Sequence, residues 1–467
     1  MGYAAGHVTR PPVEVSCYWL AAGRAEPEPP LEGERRCDVA VVGAGFTGLW
    51  TAAYLKELDP ALDVVVLDQR IAAYGASGRN AGILGDTVDH SHQLAVQHFG
   101  RQEARRLSVL GRENLALLRR SLEARGINCD LEPTGQLVVA LSPGQYEDLA
   151  AARLCAQELG ISDLRLLSRD EVRSEIQCPL YEGGLLNPAG GVLDPVKLVL
   201  GLKRDLQARG VTFHDETRVT SLVSDGPGLR VRAERGTAVA KWAVLATNAW
   251  SHELLPRLRH RFLPLYDYVI VSDPLSASQR DSIGWRNRQG VADARNFFKY
   301  YRLTKDDRVL WGTSEAKYFA GNRVLPAQDH SEAHYDALRR SFAEHFPSLA
   351  GLAFPYAWGG PICATTRFTP FFGSALGGRV FYGLGYTGHG IGTTHLAGRL
   401  LAHMVLGRAT DLLDLRLVRE GPFPYPPEPL RRWAVTAVTR SLRRVDAGHG
   451  PGLLLRLLER LGIGLSS

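Results

Sequence analysis

The residues best spaced to do chemistry are Gly43-Ala44-Gly45-Phe46-Thr47-Gly48, with Asp68 twenty positions beyond the last glycine. Between a strand and a helix, such a run binds a dinucleotide. Gly43 allows the tight turn, Gly45 lets the backbone approach the pyrophosphate, and Gly48 lets the helix pack closely on the sheet. The helix, opening near Phe46 and Thr47, offers the phosphates unpaired N–H groups and a partial positive charge. Asp68, followed by Gln69 and Arg70, can accept hydrogen bonds from a ribose. It would repel a 2′-phosphate, which disfavours NADP, although Arg70 lies close enough to meet one.

The flanking residues supply the elements this motif needs. Val39-Ala40-Val41-Val42 and Val64-Val65-Val66-Leu67 are short apolar runs suited to strands buried on both faces. Leu49 to Leu55 is apolar at helical spacing, so the whole reads as a βαβ unit. Further along, helices are expected over 101–125, 144–158, 195–208, 330–346 and 391–406. Strand-like runs fall at 136–141, 211–214, 218–223, 229–233, 242–246 and 380–382, with an aromatic strand-like stretch from about 262 to 318.

The chain has 467 residues, too many for one small core, so two lobes are expected. Its net charge of +6 comes largely from residues 431–467, where seven arginines face only Asp446 and Glu459. The rest is nearly neutral, which argues against nucleic-acid binding. No uninterrupted apolar run is long enough to span a membrane, and the N-terminus shows no signal-peptide pattern. The six cysteines form no C-x-x-C pair, as expected of reduced thiols in a cytoplasmic chain. No metal-ligand spacing appears among the 14 histidines, so no metal is expected.

Several further segments carry a resemblance. They are Tyr18-Trp19-Leu20, Gly75-Ala76-Ser77-Gly78-Arg79-Asn80-Ala81-Gly82, Gly190 to Pro195, Ala246-Thr247-Asn248-Ala249-Trp250, and Gly383 to Gly390. With the glycine turn, they make the chain similar to the FAD-dependent amine oxidoreductases related to D-amino-acid oxidase, glycine oxidase and sarcosine oxidase. Within that family it looks most similar to the γ-glutamylputrescine oxidase-like branch. The resemblance implies an α/β fold. A Rossmann-like FAD-binding domain with a mainly parallel sheet would interleave with an α+β substrate domain whose sheet is mixed or antiparallel. The expected division is an arm over 1–37, an FAD domain over 38–85, 184–260 and 355–410, a substrate domain over 86–183 and 261–354, and a basic helical tail over 411–467.

Each segment then receives an expected task. The Gly75–Gly82 loop can lie flat beneath a planar ring, with Ser77, Arg79 and Asn80 bonding its polar edge. Val219 is expected to touch the adenine through its backbone. Ala246, Thr247 and Trp250 belong to the segment expected to close over the dinucleotide. Gly385, Gly388, His389, Gly390 and Ile391 open a helix whose N-terminus would stabilise negative charge on reduced flavin. His389 could instead face the substrate. Cys363 is expected to be a buried free thiol, so FAD would be held non-covalently; a covalent link there is the alternative.

The expected reaction is oxidation of a C–N bond in an amine or amino acid. Hydride passes to flavin N5, the resulting imine is hydrolysed, and oxygen is the expected acceptor. The cofactor carries the hard chemistry and the protein supplies position. The alternatives are oxidation of a 2-hydroxy acid or other C–O substrate, a dehydrogenase using another acceptor, or a flavin-bound module that serves a partner through its basic tail. Tyr266, Tyr268, Tyr300, Tyr301 and Trp358 are candidate pocket walls. Arg302 could hold a substrate carboxylate or be a solvated strand-edge residue. Lys299 and Lys317 are the candidates for assisting oxygen, with surface placement the plainer expectation. The tail is read as a helix pair packed on the FAD lobe or an oligomer contact, with membrane-surface binding as a third option.

Overall fold

The structure, a computed structural model, describes residues 11–23, 26–460 and 463. The first ten residues of the expected arm and the end of the expected tail lie outside the described residues. Two eight-stranded sheets organise the chain. In the first, the central order is Phe371–Ala375, Val380–Leu384, Gly236–Leu245, Gly33–Val42, Val64–Leu67 and Thr212–His214. All neighbours are parallel except the first pair, and an antiparallel pair, Val219–Asp225 with Gly228–Ala233, extends from the Gly236–Leu245 strand. Val39 to Val42 and Val64 to Leu67 are fully buried, as strands covered on both faces must be. The helices Phe46–Leu58 and Gly390–Leu406 pack on this sheet and on each other. Gly398 allows that contact, since a Cβ there would sit 2.6 Å from Trp50.

The second sheet runs Tyr356–Ala364, Leu263–Pro274, Arg308–Tyr318, Lys299–Leu303, Gly290–Asp293, Gln136–Ala140, Gly183–Asn187 and Arg165–Leu167. It is antiparallel except where Gly290–Asp293 meets Gln136–Ala140. The chain thus crosses between the lobes more often than the expected boundaries allow. Gly183–Asn187 and Tyr356–Ala364 belong to the substrate sheet, although the expected boundaries place them almost wholly in the FAD domain. Conversely, the helix His92–Ala124 packs its apolar residues into the FAD-lobe core and bonds it through Asn114, which donates to the Gly392 carbonyl at 2.8 Å. That helix kinks at Gly100 (φ 78°), just before the expected start at 101.

Strand alternation gives the substrate sheet two unlike faces. Tyr266, Tyr268, Ile270, Tyr301 and Trp311 fill a core beneath the helix Glu332–His345. Val269, Val271, Leu310 and Trp358 join the FAD-lobe core, and Tyr300 packs against it. The second face is therefore turned toward the glycine motifs.

The tail follows the expected two helices, Leu430–Asp446 and Leu453–Arg460, broken between them. The two helices dock on the substrate lobe, whereas Leu415 and Leu417, earlier in the expected tail, are buried in the FAD-lobe core. Asp446 accepts from the Asn296 and Phe297 N–H groups at 2.8 and 2.9 Å. Arg431 is buried and donates to Asn322 Oδ1 at 2.8 Å. Among the described residues, no helix is long and apolar enough to cross a membrane, and no cluster of three metal-ligating side chains occurs.

Candidate active site

The glycine turn forms a cradle that side chains would fill. Gly43 has φ +110°, and a Cβ on it would lie 2.7 Å from the Ala246 carbonyl oxygen. On Gly48 a Cβ would lie 2.0 Å from the Gly43 oxygen, and on Gly45 it would meet Ser77 Oγ at 2.8 Å. These contacts bring three segments together: 43–48, the loop at Ser77 and the turn at Ala246–Thr247. Phe46 N–H donates to Ser77 Oγ at 2.9 Å. No side chain caps the helix through Gly45, so the Thr47 and Gly48 N–H groups are offered at its positive end. Thr47 Oγ1 donates to the Tyr386 hydroxyl at 2.9 Å, tying the final glycine run to the same helix.

Asp68 accepts from Ala44 N–H at 2.8 Å and Arg70 N–H at 2.9 Å. It stays half-buried, and burial, opposed by those two bonds, pushes its pKa up to about 6. Each carboxylate oxygen keeps a lone pair for a further donor. Beside it, Glu216 N–H donates to the Arg70 carbonyl at 2.7 Å and Thr217 N–H to the Asp68 carbonyl at 2.6 Å, which sets Val219 close by. Gln69 is half-buried between them. The Arg70 side chain pairs with Glu14 and lies 5.2 Å from the Tyr74 ring, so it is not free to meet a phosphate.

The Gly75–Gly82 loop departs from expectation in how it uses its polar groups. Arg79 is buried, donating to the Tyr74 carbonyl at 2.7 Å and pairing with Asp329 at 2.9 Å. Asn80 turns back on the loop, donating to the Ala76 and Ser77 carbonyls and accepting from Gly82 N–H at 2.8 Å. Trp19 and Trp358 donate their indole N–H groups to the Asn80 and Arg79 carbonyls, each at 2.9 Å. Arg79 and Asn80 thus hold the loop's shape instead of presenting side chains to a ring edge. Gly75, 3.7 Å from the Trp250 ring by its would-be Cβ, and Ala76 stay half-buried; Ala81 is buried. Gly82 takes φ +69°, with no room for a Cβ against Leu193.

At the final run, Gly385 and Gly388 take φ +84° and +92°. His389 precedes the helix Gly390–Leu406, and Ile391 is buried in its first turn. The His389 ring is open to solvent on one side yet set deep in the molecule, and that depth pushes its pKa down to about 4. It stacks on His90, with ring centroids 4.0 Å apart. His90 donates Nε2–H to the Thr387 carbonyl at 2.7 Å, and burial holds it neutral too. His90 escaped the sequence reading because nothing local to it suggests a partner so far along the chain.

The substrate-sheet expectations divide by face. Tyr300 lies on the face turned to the FAD lobe. Tyr266, Tyr268 and Tyr301 are buried in the opposite core, and Trp358 is buried under Arg79, so none of these four is a pocket wall. Arg302 shares the Tyr300 face but is fully buried. It donates to the Leu193 carbonyl at 2.6 Å and the Gly82 carbonyl at 3.2 Å, so it has no free fork for a substrate carboxylate. Lys299 shares its face with Tyr301 and donates to Thr313 Oγ1 at 2.9 Å; burial lowers its pKa. Lys317 is exposed, 4.9 Å from the Phe319 ring, opposite Tyr266. Both lysines therefore face away from the glycine motifs, where they cannot assist oxygen at a flavin.

A second residue that no local sequence motif marks is Asp267. Along Leu263–Pro274 the burial alternates, with Leu265 and Asp267 half-buried and Tyr266 and Tyr268 buried. Asp267 opposes Gly360, whose would-be Cβ meets Arg79 Cδ at 3.0 Å, which confirms the face. Tyr300 donates its hydroxyl to Asp267 Oδ2 at 2.7 Å, its ring crossing Gly312, where a Cβ would lie 2.3 Å from the ring. Neighbouring Ile362 is also half-buried, and Thr387 N–H donates to the Cys363 carbonyl at 3.1 Å. The turn before His389 and the open end of the sheet face therefore meet. Cys363 itself is a fully buried free thiol, and burial pushes its pKa well up.

Residues 38–404 match the DAO family of FAD dependent oxidoreductases. The chain belongs to this family. The cradle, the uncapped helix end and Asp68 fit FAD, the cofactor of these oxidoreductases. The chain is 32% identical over 410 residues to gamma-glutamylputrescine oxidoreductase of Escherichia coli, covering 88% of this chain and 93% of that one. It is 29% identical over 385 residues to the probable oxidoreductase OrdL of Haemophilus influenzae, covering 81% and 85%. In fold it resembles glycine oxidase from Geobacillus kaustophilus, with a TM-score of 0.69 at 21% identity, over 82% of this chain and 99% of that one.

Proposed function

We propose that this FAD-dependent oxidoreductase oxidises a C–N bond of an amine or amino acid, with oxygen as acceptor. The observation that carries this reading is the near full-length likeness to a relative named for an amine substrate, gamma-glutamylputrescine. Bound FAD supplies the two-electron acceptor for a hydride from the carbon bearing nitrogen, and water hydrolyses the resulting imine.

In this reading the chain's own residues bind, orient and exclude water. The Thr47 and Gly48 N–H groups hold the pyrophosphate and Asp68 the ribose. The backbone of Gly75–Gly82 supports the ring, kept rigid by Arg79, Asn80, Trp19 and Trp358. The helix Gly390–Leu406 has no side-chain cap, so its positive end is available to stabilise negative charge. The His90–His389 stack, neutral at physiological pH, walls the site without adding a competing charge.

An anaerobic screen tests the proposal. Primary and secondary amines, amino acids and 2-hydroxy acids are each mixed with the yellow holoenzyme. Amines should bleach the flavin absorbance, and admitting air should restore it. Bleaching by 2-hydroxy acids alone would refute the reading, and bleaching that air does not reverse would exclude oxygen as acceptor.

A further inference from the structure

Among the described residues, Asp267 is the one carboxylate on the open part of the sheet face turned toward the FAD motifs. Its neighbours on that part, Leu265, Ile362 and Tyr300, carry no charge, and the two arginines packed on this face are engaged by other groups. Arg79 is paired with Asp329, and Arg302 is taken by the Gly82 and Leu193 carbonyls. Among the described residues, no lysine, arginine or histidine forms an ion pair with Asp267. What it does receive is one hydroxyl, from Tyr300. Two glycines build this arrangement. Gly312 lets the Tyr300 ring lie across the intervening strand, and Gly360, opposite Asp267, makes room for the Arg79 side chain to pass on its way to Asp329.

A carboxylate drawn from water with a single neutral donor is costly unless a cation joins it. Burial pushes Asp267 up to about 6, against the Tyr300 bond, so it is still ionised at neutral pH. An anion so placed attracts a cationic ligand and repels an anionic one.

We propose that Asp267, oriented by the Tyr300 hydroxyl, receives the ammonium group of the substrate, which gives up one proton to water before hydride leaves the adjoining carbon, and selects alkylammonium substrates over anionic ones. The proposal deepens the amine-oxidation reading and rests on it for the word substrate. The cation site itself stands on the geometry alone. Tyr300 acts as a positioning residue and Asp267 as the one that determines specificity.

The test compares wild-type, Asp267→Asn and Tyr300→Phe holoenzymes. Anaerobic reduction by butylamine and by 1,4-diaminobutane, followed against amine concentration, separates Kd from the limiting rate. Losing a charge-assisted contact should raise Kd about 10- to 100-fold in Asp267→Asn, and by much less in Tyr300→Phe. The limiting rate should fall by a smaller factor than Kd rises, with FAD content and Tm held. An unchanged Kd in Asp267→Asn overturns the proposal.

Calorimetric titration with tetramethylammonium keeps this outcome separate from failure of the amine reading. Wild type should bind the cation, and Asp267→Asn should bind it at least about 10-fold more weakly. Equal binding, or none by wild type, overturns the proposal whatever the amines do. Should Asp267→Asn fail to fold, wild type alone decides through displacement of tetramethylammonium: butylammonium should displace it more strongly than 1-butanol, and butyrate least. The reverse order overturns it.

Discussion

Arg79 and Asp329 form an ion pair at 2.9 Å, with both side chains nearly sealed from solvent. Arg79 sits in the loop that supports the cofactor ring, and Asp329 lies just before the helix that covers the substrate sheet. The pair therefore fastens one lobe to the other at the place where they form the site. Asp329→Asn would strand a buried guanidinium, so a stability loss of about 3–5 kcal/mol is expected. Denaturant unfolding measures it, and FAD retention should fall in parallel. A variant as stable as wild type would show that the pair does not fasten the lobes.

Gly48→Ala should abolish FAD binding, because the added methyl falls 2.0 Å from the Gly43 oxygen and forces the turn open. Purified protein should lose its yellow colour, with FAD content reduced at least about tenfold for a displacement costing 1.4 kcal/mol or more. Gly377→Ala is the control: its φ of +65° brings local strain, but a Cβ there meets nothing within 4 Å. It should keep its FAD.

Arg302→Met should destabilise the protein without a selective rise in KM. It leaves the Leu193 carbonyl buried without its Arg302 donor, at about 1–3 kcal/mol, while the Gly82 carbonyl keeps the Leu193 N–H. Thermal unfolding and steady-state kinetics on the same preparation check this. A large KM increase at unchanged Tm would instead return Arg302 to the substrate.

The local parts of the molecule were legible in its sequence. The glycine turn, its flanking strands and Asp68 lie within one βαβ unit, where spacing alone dictates geometry. The aromatic stretch was legible as strand but not as two faces. Lys299, Tyr300, Tyr301 and Arg302 are consecutive, yet alternation sends Tyr300 and Arg302 one way and Lys299 and Tyr301 the other. Reading the same alternation through Tyr266, Asp267 and Tyr268 would have set Asp267 apart from the apolar Leu265, Val269 and Val271 on its side of the strand. His90 with His389, and Arg79 with Asp329, depend on how the lobes interleave, and no local pattern encodes that.

Asp267 also predicts a pH dependence. Its folded pKa of about 6 stands above its unfolded value, so the neutral form is favoured by folding. Its stabilising contribution is fully present below about pH 4 and is lost as pH rises through about 6, up to about 2–3 kcal/mol in all. Asp267→Asn should thus be at least as stable as wild type at pH 7.5, and the difference in Tm should shrink toward pH 4. A lower Tm for the variant at pH 7.5 would assign Asp267 a structural role.

The buried, neutral Cys363 thiol predicts that FAD is released on acid precipitation, leaving a yellow supernatant over colourless protein. Colour retained in the pellet, and lost in Cys363→Ser, would establish a covalent link.

The most direct measurement for the account as a whole is single-turnover flavin bleaching by an amine deuterated at the carbon bearing nitrogen. The account predicts bleaching several-fold slower than with the undeuterated amine, with one equivalent of carbonyl product per flavin reduced. Bleaching with no isotope effect on an isolated chemical step, or no bleaching by any amine, would contradict it.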